Sequence, residues 1–137
     1  MPTGYSGTPL AKKLGLKPGQ RAWFDAMPDS VRGEIDPGAI GLVLLDEPNP
    51  GLDLAHVFVT TRAGLERHIA LLRDRLAADG MIWVSWPKKA SKVPTDITED
   101  VVRAVALPTG LVDVKVCAVD EIWSGLKLVI RKALRTA

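Results

Sequence analysis

The segment Trp86-Pro87-Lys88-Lys89-Ala90-Ser91-Lys92 carries the most polarised chemistry in the chain. Its lysines stand without a carboxylate between them, flanked by a hydroxyl and an indole. Ammonium groups offer an anion charge and donors, a serine adds one more donor, and an indole supplies an apolar wall. Lys88, Lys89 and Ser91 beside Trp86 are therefore candidate ligands for a phosphate or carboxylate. Thr61 and Arg62 would reach the same rim from an earlier turn. The plainer reading is a solvated loop with Trp86 filling core.

The remaining reactive side chains are sparse. His56 and His68 share no local ligand spacing with a second His or Cys, and nothing resembles a nucleophile elbow. A lone cysteine, Cys117, excludes an intrachain disulfide and a cysteine-based zinc site. Asp120 and Glu121 adjoin near Trp123 and can share a proton if desolvated, but they read more simply as turn residues or as partners of Lys88 and Lys89. The stretch Gly4-Tyr5-Ser6-Gly7-Thr8 lacks the spacing of a phosphate loop and reads as an arm across the sheet rim. No catalytic residue, metal or cofactor is assigned from these groups.

The elements that must position them are marked by Gly and Pro at the joints. Short apolar, β-branched or aromatic runs at 21–24, 41–45, 56–60 and 81–86 read as strands covered on both faces. Leu65, Ile69, Leu72 and Leu76 form one helical stripe, with Thr61 placed to cap it and Gly80 to end it in a left-handed turn. A second helix is expected over 97–106, with Ile97, Val101, Ala104 and Val105 inward, Asp96 and Glu99 as a capping box, and Pro108 as its stop. A short helix opens at Thr8-Pro9 and ends at Gly15, and 29–34 holds a further turn or two. Val112, Val114, Val116 and Ala118 alternate with polar residues, which predicts a half-buried strand returning antiparallel through 127–130. The order predicts one α/β domain over 1–137: a three-layer, Rossmann-like, mostly parallel sheet with a C-terminal antiparallel pair.

At 137 residues, with 47% hydrophobic and 25% charged side chains, the chain can bury a core without metals or disulfides. The formal charge of +2 is too small to imply nucleic acid. Charge is uneven: 21–53 holds seven acids against two arginines, while 80–95 holds three lysines and no acid. Such a dipole favours oriented association with a partner protein or a second copy. No run is apolar and long enough for a signal peptide or a membrane span, so a cytoplasmic setting is expected, with no membrane partner.

Leu16-Lys17-Pro18-Gly19 before a strand, and Ala78-Asp79-Gly80 before Met81-Ile82-Trp83-Val84, resemble the corresponding stretches of class I methyltransferase-like Rossmann folds. That resemblance implies a truncated version, lacking one unit between Leu45 and His56. It also implies a glycine-rich turn after the first strand, where the backbone must approach a cofactor. Here that turn is Asp25-Ala26-Met27-Pro28-Asp29-Ser30, without glycine; Asp46 or Glu47 is the acid that would hold ribose hydroxyls. More specifically, Gly4-Tyr5-Ser6-Gly7-Thr8-Pro9-Leu10-Ala11-Lys12-Lys13-Leu14-Gly15, Trp86-Pro87-Lys88-Lys89 and Leu107-Pro108-Thr109-Gly110-Leu111-Val112-Asp113 are similar to a bacterial family known only as a domain of unknown function. That family implies no activity or substrate. The residues thus favour a non-catalytic module binding a partner protein or small anionic ligand at the Trp86–Lys89 rim. The runner-up is a divergent S-adenosylmethionine-dependent methyltransferase with Asp25 and Asp46 facing the cofactor. A third possibility is a homodimer formed through an edge strand at 127–131.

Overall fold

The computed structural model describes residues 9–135, so the arm at Gly4 to Thr8 lies outside the described residues. In chain order the elements are α1 (Leu10–Lys13), β1 (Arg21–Asp25), α2 (Asp29–Ile35), α3 (Pro37–Ile40), β2 (Val43–Leu44), β3 (Leu52–Phe58), α4 (Arg62–Arg73), β4 (Leu76–Pro87), α5 (Glu99–Ala106), β5 (Leu111–Ala118) and β6 (Trp123–Ile130). They form a six-stranded sheet in the order β2-β1-β3-β4-β6-β5. β2, β1, β3 and β4 run parallel, while β6 pairs antiparallel with both β4 and β5.

Strand alternation divides the central strands between two cores. Ala55, Val57, Ile82, Val84 and Leu126 point to one face, where α4 and α5 bring Leu65, Ile69, Leu72, Val102 and Ala106. Ala22, Leu54, Phe58, Met81 and Trp83 point to the other, under α1 and α2 with Leu10, Leu14, Val31 and Ile35. Helices on both faces make the three layers, which is why the central strands are apolar nearly throughout. Trp83 donates its indole N–H to the Leu14 carbonyl at 2.9 Å, fastening α1 to the middle of the sheet.

Several elements differ from the sequence reading. α4 is capped by Thr61, whose hydroxyl accepts from the Gly64 N–H, but it ends at Arg73. Leu76 is not its last stripe residue; it opens β4 opposite Leu52. The register then jumps to Leu54 opposite Met81, so Asp53 faces 77–80 across a bulge. Gly80 sits in that bulge without a positive φ, because a Cβ there would lie 2.6 Å from the Leu52 carbonyl oxygen. Close approach, not a left-handed turn, requires the glycine.

α5 is capped by Thr98, whose hydroxyl accepts from the Val101 N–H; the expected Asp96–Glu99 box does not form. Its buried residues are Val102 and Ala106, while Ala104 is exposed. On β5, Val114 and Val116 are 53% and 47% exposed. A register shift between Asp113 and Lys115 resets the alternation, and Asp113 pairs with Arg103 of α5 at 2.9 Å. Residues 127–131 do not form an edge: β6 is paired on both sides, and the sheet ends on β2 and β5. No helix among the described residues is long and apolar enough to cross a membrane.

Candidate functional site

β1 lies between β2 and β3, so the chain leaves β1 to one side of the sheet and returns on the other. Loops diverge at such a switch point, and open α/β sheets hold ligands in the crevice outside the strand C-termini there. The crevice has three contributors: the turn after β1, the two acids after β2, and the turn from β3 into α4.

After β1 the chain turns through Ala26 at φ +57°. The left-handed region costs a Cβ-bearing residue about 1–2 kcal/mol, so this turn carries the backbone conformation that glycine supplies more cheaply. α2 follows, with Pro28 at its cap and Asp29 in its first turn. Asp25, the last residue of β1, accepts a 2.7 Å hydrogen bond from His68 Nε2–H on α4. The other ring nitrogen of His68 donates to the Gly64 carbonyl at 2.8 Å. Trp23 stands 6.2 Å from that ring, centroid to centroid. This pairing joins residues 43 positions apart, and no local spacing in the sequence signals it.

Asp46 and Glu47 follow β2 at the same end of the sheet, and both are exposed. Their carboxylates make no hydrogen bond or ion pair among the described residues. Two free carboxylates beside a switch point suit the donors of a ribose diol.

A second histidine pairing lies deeper. His56 and Ser85, 1% and 0% exposed, are hydrogen-bonded at 2.7 Å on the α1/α2 face of the sheet. The imidazole stacks on Phe58 with centroids 4.4 Å apart, and burial lowers its pKa to about 3. A Ser–His contact is the geometry of an activated nucleophile. Here both groups are sealed in core, so the pair satisfies two buried polar groups and nothing more.

The rim residues read from the sequence meet different fates. Thr61 spends its hydroxyl capping α4. The Arg62 backbone N–H donates to Asp96 at 2.7 Å, and its guanidinium pairs with Glu66 at 3.4 Å. Trp86 is 6% exposed and packs into the α4/α5 core. Ser91 donates to the Lys88 carbonyl and accepts from the Val93 N–H, closing its own turn. Lys88 is half-buried, with its backbone N–H on the Ile122 carbonyl, and Lys89 is exposed. Neither lysine has a carboxylate partner among the described residues. Arg62 and the neighbouring Thr60 are tied to 95–96, and Thr61 to its own helix, rather than to the lysine segment. Asp120 is a turn residue, accepting from the N–H groups of Ile122 and Trp123. No group of three or more His, Cys, Asp or Glu among the described residues is arranged to hold a metal ion.

No family model and no curated protein matches the sequence. Solved structures do match the fold. An S-adenosylmethionine-dependent methyltransferase from Aquifex aeolicus superposes with a TM-score of 0.60 at 13% identity, covering 88% of each chain. Magnesium protoporphyrin IX methyltransferase from Synechocystis, with bound S-adenosylmethionine, gives 0.57 at 10% identity, over 88% of this chain and 74% of that one. A TehB-like S-adenosylmethionine-dependent methyltransferase from Corynebacterium glutamicum gives 0.53 at 11% identity, over 93% and 90%. The architecture is that of methyltransferase-like Rossmann folds, ending in the antiparallel β4, β6 and β5. Between Leu44 and Leu52 the chain has only a proline-bearing loop, in keeping with a truncated version.

Proposed function

We propose that the chain is a divergent S-adenosylmethionine-dependent methyltransferase domain that takes its cofactor over the C-terminal ends of β1 and β3. The supporting observation is the left-handed turn at Ala26, placed directly after β1 at the switch point. Strained backbone persists where the surroundings enforce it, and it gathers at ligand sites. The donor set fits a nucleoside: Asp46 and Glu47 accept from ribose hydroxyls, and the Ala26 turn brings the backbone alongside. The single methyl group of Ala26 is exposed rather than wedged into the fold. When bound, such a cofactor supplies an electrophilic methyl group. The Asp25–His68 hydrogen bond ties the end of β1 to α4 beside the Ala26 turn.

Calorimetric titration with S-adenosylmethionine and S-adenosylhomocysteine tests this reading. Saturable binding is expected, weakened about tenfold to a hundredfold by Asp46→Asn with Glu47→Gln, the loss of charge-assisted hydrogen bonds. Absence of binding at millimolar cofactor overturns it.

One observation favours a second reading. The ammonium groups of Lys88 and Lys89 lack carboxylate partners at the same end of the sheet, as a site for an anionic ligand or acidic partner requires. Binding of such an anion, lost in Lys88→Ala with Lys89→Ala and indifferent to the Asp46 and Glu47 changes, would identify this site instead.

A further inference from the structure

The opposite end of the sheet holds a separate cleft of about 490 Å³, between the 15–20 loop and the junction of β4 with β6. Gly15, Lys17, Gln20, Asp53, Asp79 and Lys127 contribute to its lining. Gly15 and Gly19, at φ +73° and +83°, bend the loop, and Lys17 between them lines the cleft. A Cβ built on Gly15 would be 4.0 Å from Lys127 Nζ, so the β6 ammonium reaches up against the loop backbone.

The charges around this cleft are arranged against folding stability. Lys115 on β5 and Lys127 on β6 are direct cross-strand partners. Like charges placed opposite each other destabilise an antiparallel pair. None of Lys17, Lys115 and Lys127 has a carboxylate partner among the described residues; Lys115 donates instead to the neutral Lys13 carbonyl at 2.9 Å. Burial, then the neighbouring Lys115 and Lys17 charges, lower the pKa of Lys127. A half-buried cation with two like charges close by and no ion-paired carboxylate among the described residues, beside an open cleft, lacks the direct counter-charge that a bound anion supplies.

The opposite wall limits what the anion is attached to. Asp53 holds one carboxylate oxygen on the Arg21 N–H at 2.9 Å, and Asp79 is exposed without an ion pair. These carboxylates repel an extended polyanion and accept from hydroxyl or amino groups. We propose that the cleft binds a small phosphomonoester whose remaining part carries hydrogen-bond donors, the phosphate lying between Lys17 and Lys127 and the donors toward Asp53 and Asp79. The site lies at the strand N-termini and is independent of the cofactor crevice proposed above.

The test is an amide chemical-shift titration of the whole chain with inorganic phosphate, O-phosphoethanolamine and ethanolamine. Saturable shifts confined to 15–20, 53, 79–81 and 127–129 are expected, with O-phosphoethanolamine tighter than phosphate and ethanolamine inert. Lys127→Met and, separately, the loop variant Lys17→Gln should each weaken binding about tenfold, as loss of one charge-assisted contact does. Without ligand, Lys127→Met should be at least as stable as the parent, since it removes a partly buried ammonium from a like-charge cross-strand contact. Shifts that are absent or diffuse, or an affinity unchanged from the parent in both variants, overturn the site. A Lys127→Met protein that is clearly less stable while the parent shows no saturable shift assigns the lysine a structural role and likewise overturns it.

Discussion

Ala26 and His56 each sit in an environment that their residue type disfavours. Ala26 holds φ +57°, a conformation glycine adopts without steric cost. Ala26→Gly relieves about 1–2 kcal/mol of strain but adds about 0.5–1 kcal/mol of unfolded-state entropy. The expected net change lies between neutral and a stabilisation of about 1.5 kcal/mol in urea unfolding, with Ala26→Val destabilising. A clear loss of stability in Ala26→Gly would contradict the strained turn. His56 is fully buried, and burial lowers its pKa from 6.5 to about 3. The folded ring stays neutral where the unfolded ring takes a proton, so its contribution is complete above pH 6.5 and is lost as pH falls toward about 3. Its share of the slope is about 1.4 kcal/mol per pH unit in that window. His56→Phe with Ser85→Ala keeps a ring on Phe58, leaves no orphan hydroxyl, and should flatten the pH dependence of urea unfolding by that amount. An unchanged slope would contradict the assignment.

At the scale of elements, the glycine in the β3–β4 bulge makes the sharpest prediction. A Cβ at Gly80 would meet the Leu52 carbonyl oxygen at 2.6 Å and Leu76 Cδ1 at 2.8 Å. Backbone cannot yield as a side-chain tip does, so Gly80→Ala should cost about 1–3 kcal/mol or more in thermal or urea unfolding. A neutral outcome would mean that the bulge is not held as described. The same bulge shows where the sequence was legible and where it was not. Leu65, Ile69 and Leu72 were readable as a helical stripe because one helix buries them on one core. Leu76 continues the period but belongs to β4, since pairing with Leu52 outweighs one more helical turn. Val114 and Val116 alternate as a buried face would, yet the register shift on β5 turns them outward and leaves Asp113 to Arg103. Arg103 bonds to Asp113 and Glu99, holding the Asp113 carboxyl below its usual range. Periodicity reports local geometry, and bulges are set by the partner strand, so neither shift was visible in one segment alone.

For the whole molecule, the alternation of apolar strands with helices was enough to place the sheet, its two cores and its antiparallel end. The polar constellations were not, because each depends on segments distant in sequence: Asp25 with His68, His56 with Ser85, Lys17 with Lys127. The lysine segment at the β4 end was legible as charge, but its serine and tryptophan turned out to serve the fold. The sheet edges are β2 and β5, which expose Val43 and Leu44 and Val114 and Val116 respectively, so sheet-edge association involves one of these strands and not β6. The central claim concerns the crevice at the C-terminal ends of the parallel strands. Its most direct test is a crystal structure determined with S-adenosylhomocysteine. The account predicts the ribose against Asp46 and Glu47 and the nucleoside lying over the Ala26 turn between β1 and β3. A cofactor seated elsewhere, or a crevice left empty at saturating concentration, would contradict it.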